Sequence, residues 1–165
     1  MSNFDVYALD SSKIAIKGIN KLFKKYKNES LKNIKCIDVK QGLPFDNNYF
    51  DLVYSHMFYN MNFTNKELDF LFHESHRVLK TNGLLYFSVR SNIDKLFKTG
   101  RKIDEDDIYE INGFQIRFFS MEQIKLLLSS FNFDVDEIRQ DYEDLSHLYF
   151  VFCHKKNNSN TSGII

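Results

Sequence analysis

Residues 84–89, Leu-Leu-Tyr-Phe-Ser-Val, form a nearly unbroken apolar run with no wet alternation. A strand of that kind is expected where both faces of a sheet are covered. The segment before it carries a helix start. In Thr64-Asn65-Lys66-Glu67 the cap hydroxyl and the glutamate can exchange hydrogen bonds with backbone amides. Leu68, Leu71, Phe72, Ser75 and Leu79 then recur on one helical face up to about residue 80. Asn82-Gly83 is expected to close this helix with a left-handed cap. Before it stands another strand candidate, residues 50–55. Strand, helix and strand in that order require a crossover, so the two strands are expected to run parallel.

The same alternation continues on both sides. Residues 6–9 form a short apolar run that stops at Asp10. Ser11-Ser12 offers a helix cap, and Ala15, Ile19, Leu22 and Tyr26 mark a helical stripe over residues 13–26. Lys17, Lys21, Lys24 and Lys25 fall on its wet side. Residues 34–37 form a second strand ending at Asp38, and residues 42–45 a turn. Residues 90–119 read as polar and irregular. A second capping box, Ser120 to Gln123, opens a helix with Ile124, Leu127, Leu128 and Phe131. Strands at 133–139 and 148–154 follow, and residues 155–165 read as a polar, disordered tail. The order predicts an α/β fold with a mainly parallel sheet that ends in an antiparallel pair.

Composition narrows the function classes. A chain of 165 residues, 43% hydrophobic, is one domain in length and is expected to fold. Lys+Arg and Asp+Glu both total 22, so there is no basic excess for phosphate contacts, and a nucleic-acid partner is not expected. No apolar run approaches the roughly 20 residues of a membrane span, and the first residues lack a secretory signal pattern. Cys36 and Cys153 lie in apolar runs and read as buried thiols, which suits a reducing cytoplasm.

Few residues carry obvious chemistry. Asp10 and Asp38 each end a strand, where an open parallel sheet binds its ligands. An acid there can accept from ribose hydroxyls, or it can cap the next helix. His56 follows a strand end as well. It is a candidate general base, or a loop histidine packed near Phe58 and Tyr59. His73 and His76 are expected on the wet face of their helix, and no metal site is expected. No Walker-type loop, G-x-S-x-G or G-x-G-x-x-G is present.

Taken together, Val6-Tyr7-Ala8-Leu9-Asp10-Ser11-Ser12, Asp38, Leu43-Pro44-Phe45, Phe50-Asp51-Leu52-Val53 and Arg77-Val78-Leu79-Lys80 followed by Asn82-Gly83 resemble a class I S-adenosylmethionine-dependent methyltransferase, up to about residue 154. The resemblance implies a Rossmann-like sheet and S-adenosylmethionine as cofactor. It implies that Asp10 and Ser11 hold the ribose, that Asp38 accepts from the adenine amino group, and that Val39 lies beside the ring. Ser55 and His56 would border the methyl-transfer site. Residues 90–119 would be a substrate lid, with Tyr109, Phe114, Arg117 and Phe119 lining it for a small-molecule acceptor.

That family begins with a strand and a glycine-rich turn, and neither is found here before residue 6. Residues 1–154 are therefore expected to be a methyltransferase domain lacking its N-terminal part and inactive alone. Its exposed strand edges would favour self-association. The alternative is a non-catalytic remnant, or a subunit that completes its sheet with another chain.

Overall fold

A computed structural model describes residues 4–26, 31–103, 106–143 and 146–157. The chain divides into two compact units, Met1–Leu43 and Pro44–Ile165. The first unit is a strand–helix–strand crossover. Strand β1 (Val6–Asp10) leads into α1 (Lys13–Tyr26), and β2 (Leu31–Cys36) returns parallel to β1. Ser12 caps α1, its hydroxyl accepting from the Ala15 amide at 3.2 Å. The lysine-rich face is solvated as expected, yet the apolar stripe is not buried either. Leu22 and Tyr26 are 53% and 68% exposed.

The second unit carries the larger sheet. Strand β3 (Phe50–His56), helix α2 (Asn65–Val78) and β4 (Leu79–Arg90) repeat the crossover, with β3 and β4 parallel. Three short strands, β5 (Arg101–Lys102), β6 (Ile108–Ile111) and β7 (Phe114–Arg117), make a separate antiparallel sheet. Helix α3 (Met121–Ser130) then leads to β8 (Phe133–Glu143) and β9 (Ser146–Lys155). The order β3-β4-β9-β8 places the C-terminal antiparallel pair against β4.

Both capping boxes form as the sequence predicts, on Thr64 with Glu67 and on Ser120 with Gln123. The end of α2 differs. The helix stops at Val78 and β4 starts at Leu79. Asn82 is indeed left-handed (φ 61°), but it sits inside the strand, where the β3–β4 register shifts between Phe50 and Leu52. The helix end is closed instead by Lys155, whose ammonium donates to the carbonyls of His76 and Leu79 and to Asn48 Oδ1 at 2.8–2.9 Å. Lys155 thus belongs to β9 and not to a disordered tail; residues 158–165 lie outside the described residues.

Within this unit the apolar run of β4 packs against helices on one face. Leu85, Phe87 and Val89 are buried with Val151 and Cys153, together with Leu71, Phe72 and Val78 of α2 and Leu128 of α3. Tyr59 stacks on Phe72 at 4.4 Å between ring centroids, both meet Phe87 edge-on at 5.3 and 5.6 Å, and the Tyr59 hydroxyl meets Ser75 Oγ at 2.8 Å. On the other face Leu84 is 48% exposed. There the aromatic rings cover one another in cross-strand rows, with Tyr54 against Tyr86 and Tyr86 stacked on Phe152 at 4.2 Å. The run is apolar because these side chains pack sideways along the sheet.

Residues 90–119 are not irregular. Tyr109, Ile111 and Phe118 form a small core with Leu96, Phe97 and Ile116. Asn112 and Gly113, both at positive φ, turn β6 into β7. Cys36 also departs from expectation: it is exposed, and only Cys153 is buried. Burial pushes the Cys153 thiol up to about 12, so that sulfur is inert. Among the described residues, no helix is long and apolar enough to cross a membrane.

Candidate functional site

In the first unit the two acids come together. Asp10 pairs with Cys36 in the register of β1 and β2, and the Ile37 amide donates to the Asp10 carbonyl at 3.0 Å. Asp38 follows at once and opens a single 3-10 turn, Val39–Gln41. Both carboxylates therefore stand at the same end of adjacent parallel strands. Each uses one oxygen locally: Asp10 Oδ1 accepts from the Ser12 amide at 2.7 Å, and Asp38 Oδ1 from the Lys40 amide at 3.0 Å. The local bonds fix the carboxylates rather than exhaust them, because an ionised carboxylate has about four acceptor positions. Ser11 is exposed beside Asp10, its carbonyl 3.5 Å from Cys36 Sγ, and Val39 is half-buried. Two acceptor-only groups fit the adenosine half of S-adenosylmethionine, which offers ribose hydroxyls and an adenine amino group as donors. Among the described residues no glycine-rich turn follows a strand and opens a helix.

The second unit separates Ser55 from His56. Adjacent residues of a strand point to opposite faces. Ser55 pairs with buried Phe87, and its Oγ is buried without a hydrogen-bond partner among the described residues. His56 lies on the other face at the end of β3, opposite Ser88 in the β3–β4 register. Its Nδ1 is 2.7 Å from Ser88 Oγ, and its Nε2 is 3.6 Å from Glu143 Oε2. Phe58 and Tyr59 pack with Phe63 and Phe72 instead. His56 thus has a polar partner at each ring nitrogen.

A second polar cluster stands where β4 ends. The Asp94 carboxylate accepts from Arg90 Nη1 at 2.9 Å and from the amides of Leu96 and His147 at 2.8 Å. The Ser91 hydroxyl is 2.6 Å from His147 Nδ1. Asp94, Ser91 and His147 are all buried, so this network ties the start of the 90–119 segment to β9.

Of the four side chains expected to wall a substrate, three are packed inside. Tyr109, Arg117 and Phe119 are buried, and Arg117 donates through Nη2 to the Phe63 carbonyl at 2.8 Å. Phe114, at the tip of the β6–β7 hairpin, is 72% exposed. His73 is exposed, but His76 is half-buried with its ring edge-on to Phe133 at 5.3 Å. His76 is therefore not on the wet face. Among the described residues no group of three metal-ligating side chains converges.

Ser88, Glu143, Asp94 and His147 escaped the reading of the sequence. Ser88 had left a signal, as a small polar residue inside the apolar run 84–89. Glu143 had left none, because only the β8–β9 hairpin brings it to His56.

Phe45, Asp51, Arg77 and Lys80, which helped to carry the family resemblance, make structural contacts. Arg77 forks onto both carboxylate oxygens of Glu74 at 2.6 and 2.8 Å and donates to the Phe45 carbonyl at 2.7 Å. Lys80 grips both oxygens of Asp51 at 2.8 and 2.9 Å. The Leu-Pro-Phe turn, the start of β3 and the end of α2 are locked by these contacts.

A family model described as a methyltransferase domain matches residues 2–87. No curated protein matches the chain. Among solved structures, an S-adenosylmethionine-dependent methyltransferase of Methanosarcina mazei is similar at TM-score 0.79, with 17% identity over 93% of this chain and 83% of that one. A Burkholderia thailandensis 1,6-didemethyltoxoflavin-N1-methyltransferase, solved with 1,6-didemethyltoxoflavin and S-adenosylhomocysteine, is similar at 0.72, with 13% identity over 93% and 62%. The [4+2]-cyclase SpnF is similar at 0.71, with 13% identity over 93% and 66%. Identities this low show a shared fold. With the family model matched over half the sequence, the chain belongs to the methyltransferase-domain family, with the Rossmann-like class I fold and S-adenosylmethionine as its cofactor.

Proposed function

We propose that this chain serves methyl transfer to a small-molecule acceptor, with Asp10 and Asp38 holding the adenosine half of the cofactor. The supporting observation is the pair of carboxylates at the common end of β1 and β2. Asp10 would accept from the ribose hydroxyls, with Ser11 beside it. Asp38 would accept from the adenine amino group, with Val39 against the ring. When bound, S-adenosylmethionine supplies an electrophilic methyl group on a sulfonium. The protein's part is chiefly to bring two reactants into line, which can contribute about 7–11 kcal/mol. His56, at the carboxyl end of β3, is the candidate for contact with the acceptor, and Phe114, exposed at the tip of the β6–β7 hairpin, is the candidate lid side chain. A small acceptor is favoured by the balanced charge of the chain, with 22 basic and 22 acidic residues.

The test is Asp10→Ala, with S-adenosylhomocysteine binding followed by calorimetry. A hydrogen bond to a charged group is worth about 1.5–3 kcal/mol, so affinity should fall roughly ten- to a hundredfold. Unchanged affinity would remove Asp10 from the site.

A second reading is that the chain completes its sheet with another chain. It is favoured by β3, which among the described residues pairs with β4 alone and is one of the two edge strands of its sheet.

A further inference from the structure

The hydrogen bonds around His56 have a direction. Met57, at φ 50°, turns its amide back onto Ser88, 3.0 Å from the carbonyl and 3.2 Å from Oγ. A hydroxyl that accepts an N–H still has its own proton to give. For Ser88 Oγ, buried in the sheet, the partner in reach is His56 Nδ1 at 2.7 Å. At the other edge of the ring Nε2 faces the Glu143 carboxylate at 3.6 Å, an ion-pair separation. A carboxylate beside Nε2 favours a proton there, and a hydroxyl donating to Nδ1 excludes one there. Both ends of the ring require the same tautomer.

We propose that Ser88 is a positioning residue and Glu143 a catalytic one: together they hold the neutral form of His56 with its proton on Nε2, so that His56 offers a bound acceptor an N–H and Glu143 supplies the proton-accepting lone pair. This rests on His56 belonging to the methyl-transfer site. The proton of a hydroxyl or amine acceptor then goes to Glu143. The X–H bond breaks, the proton converts the carboxylate to the neutral acid, and the pair left on X forms the bond to the methyl carbon. The S–C bond pair stays on sulfur. The polar side chains on this sheet face include Tyr54 and Tyr86, two residues back along β3 and β4, Glu137 opposite Phe152, Arg139 opposite Phe150 in the row of Ser88, and Arg90 and Asp141, each opposite Leu148. The Tyr54 hydroxyl lies above its usual range, through burial and then the charges of Tyr86 and Glu143. It is therefore protonated near neutral pH and does not compete for the acceptor's proton.

The experiment is long-range proton–nitrogen correlation NMR on the full, unliganded, nitrogen-15-labelled chain. Neutral His56 should appear as a single tautomer, with a pyrrole-type Nε2 and a pyridine-type Nδ1. Ser88→Ala should shift it to the mixed tautomers of free imidazole, and Ser88→Thr should restore the single form. Glu143→Gln, at an exposed position, should raise the Nδ1–H share without disturbing the fold. A proton on Nδ1 in the unaltered chain, or the same tautomer throughout the series, would overturn the proposal. Because no cofactor is present, this outcome is independent of the Asp10→Ala binding test.

Discussion

Lys155 shows how one side chain can do the work of a glycine cap. The last carbonyls of a helix have no partner within it, and a cation is favoured at that end by the helix dipole. Lys155 answers both needs from a strand far along the chain, touching the carbonyls of His76 and Leu79. Lys155→Met keeps the stem and removes the donors. It should cost about 1–2 kcal/mol of stability in urea unfolding; an unchanged midpoint would show that water caps the helix equally well. Its neighbour His76 makes stability depend on pH. Burial, then the nearby Lys155 charge, holds the imidazole below its ordinary 6.5. The unfolded chain then binds the proton more readily than the folded one, so stability rises with pH in this window. It should be complete above pH 6.5 and fall as the pH drops below it, towards the lower folded value. Replacement by the similarly shaped phenylalanine, His76→Phe, should flatten this slope in melts taken at a series of pH values.

At the scale of elements, the turns and caps were the most legible features. Thr64 and Ser120 act locally, and both boxes form because their partners lie three residues away. The β6–β7 hairpin has the same kind of signal in Asn112-Gly113, which sequence reading passed over within a polar stretch. Gly113 sits at φ 80° with nothing near a hypothetical Cβ, so any cost of substitution lies in the backbone alone. Gly113→Ala should therefore lose about 1–2 kcal/mol, whereas Gly113→Asn, a residue that tolerates this region, should recover much of that loss. Equal melting of the alanine and asparagine variants would contradict the backbone account. The boundary of α2 with β4 was less legible. Asn82-Gly83 is a sound turn signal, but β3 pairing claims Leu79 before the turn is reached.

For the molecule as a whole, the decisive feature is exposed apolar surface on ordered elements. Among the described residues β3 is an edge strand of its sheet, with Leu52 48% and Tyr54 60% exposed. Open edges of this kind template pairing with other chains unless charge blocks them. Concentration-dependent self-association is expected, measured by size-exclusion chromatography with light scattering. Leu52→Lys places a charge on that strand and should move the population towards monomer. A monodisperse monomer at all concentrations, before any substitution, would rule out this use of the edge.

The sequence alone was sufficient for whatever depends on near neighbours. The order of elements outside residues 90–119, both capping boxes, the lysine face of α1 and the acids at the ends of β1 and β2 follow from spacing and side-chain chemistry within a few residues. The α/β class follows too, because a strand–helix–strand run has few ways to bury its apolar faces. Tertiary structure decided what depends on distant partners. It sent Lys155 to the end of α2, half-buried His76 against Phe133, and buried Tyr109, Arg117 and Phe119 that read as a substrate wall. It also brought Ser88 and Glu143, on separate strands, to the two edges of one imidazole. A local pattern specifies the face on which a side chain lies. The partner it meets there is set by the register of strands that are far apart in the chain.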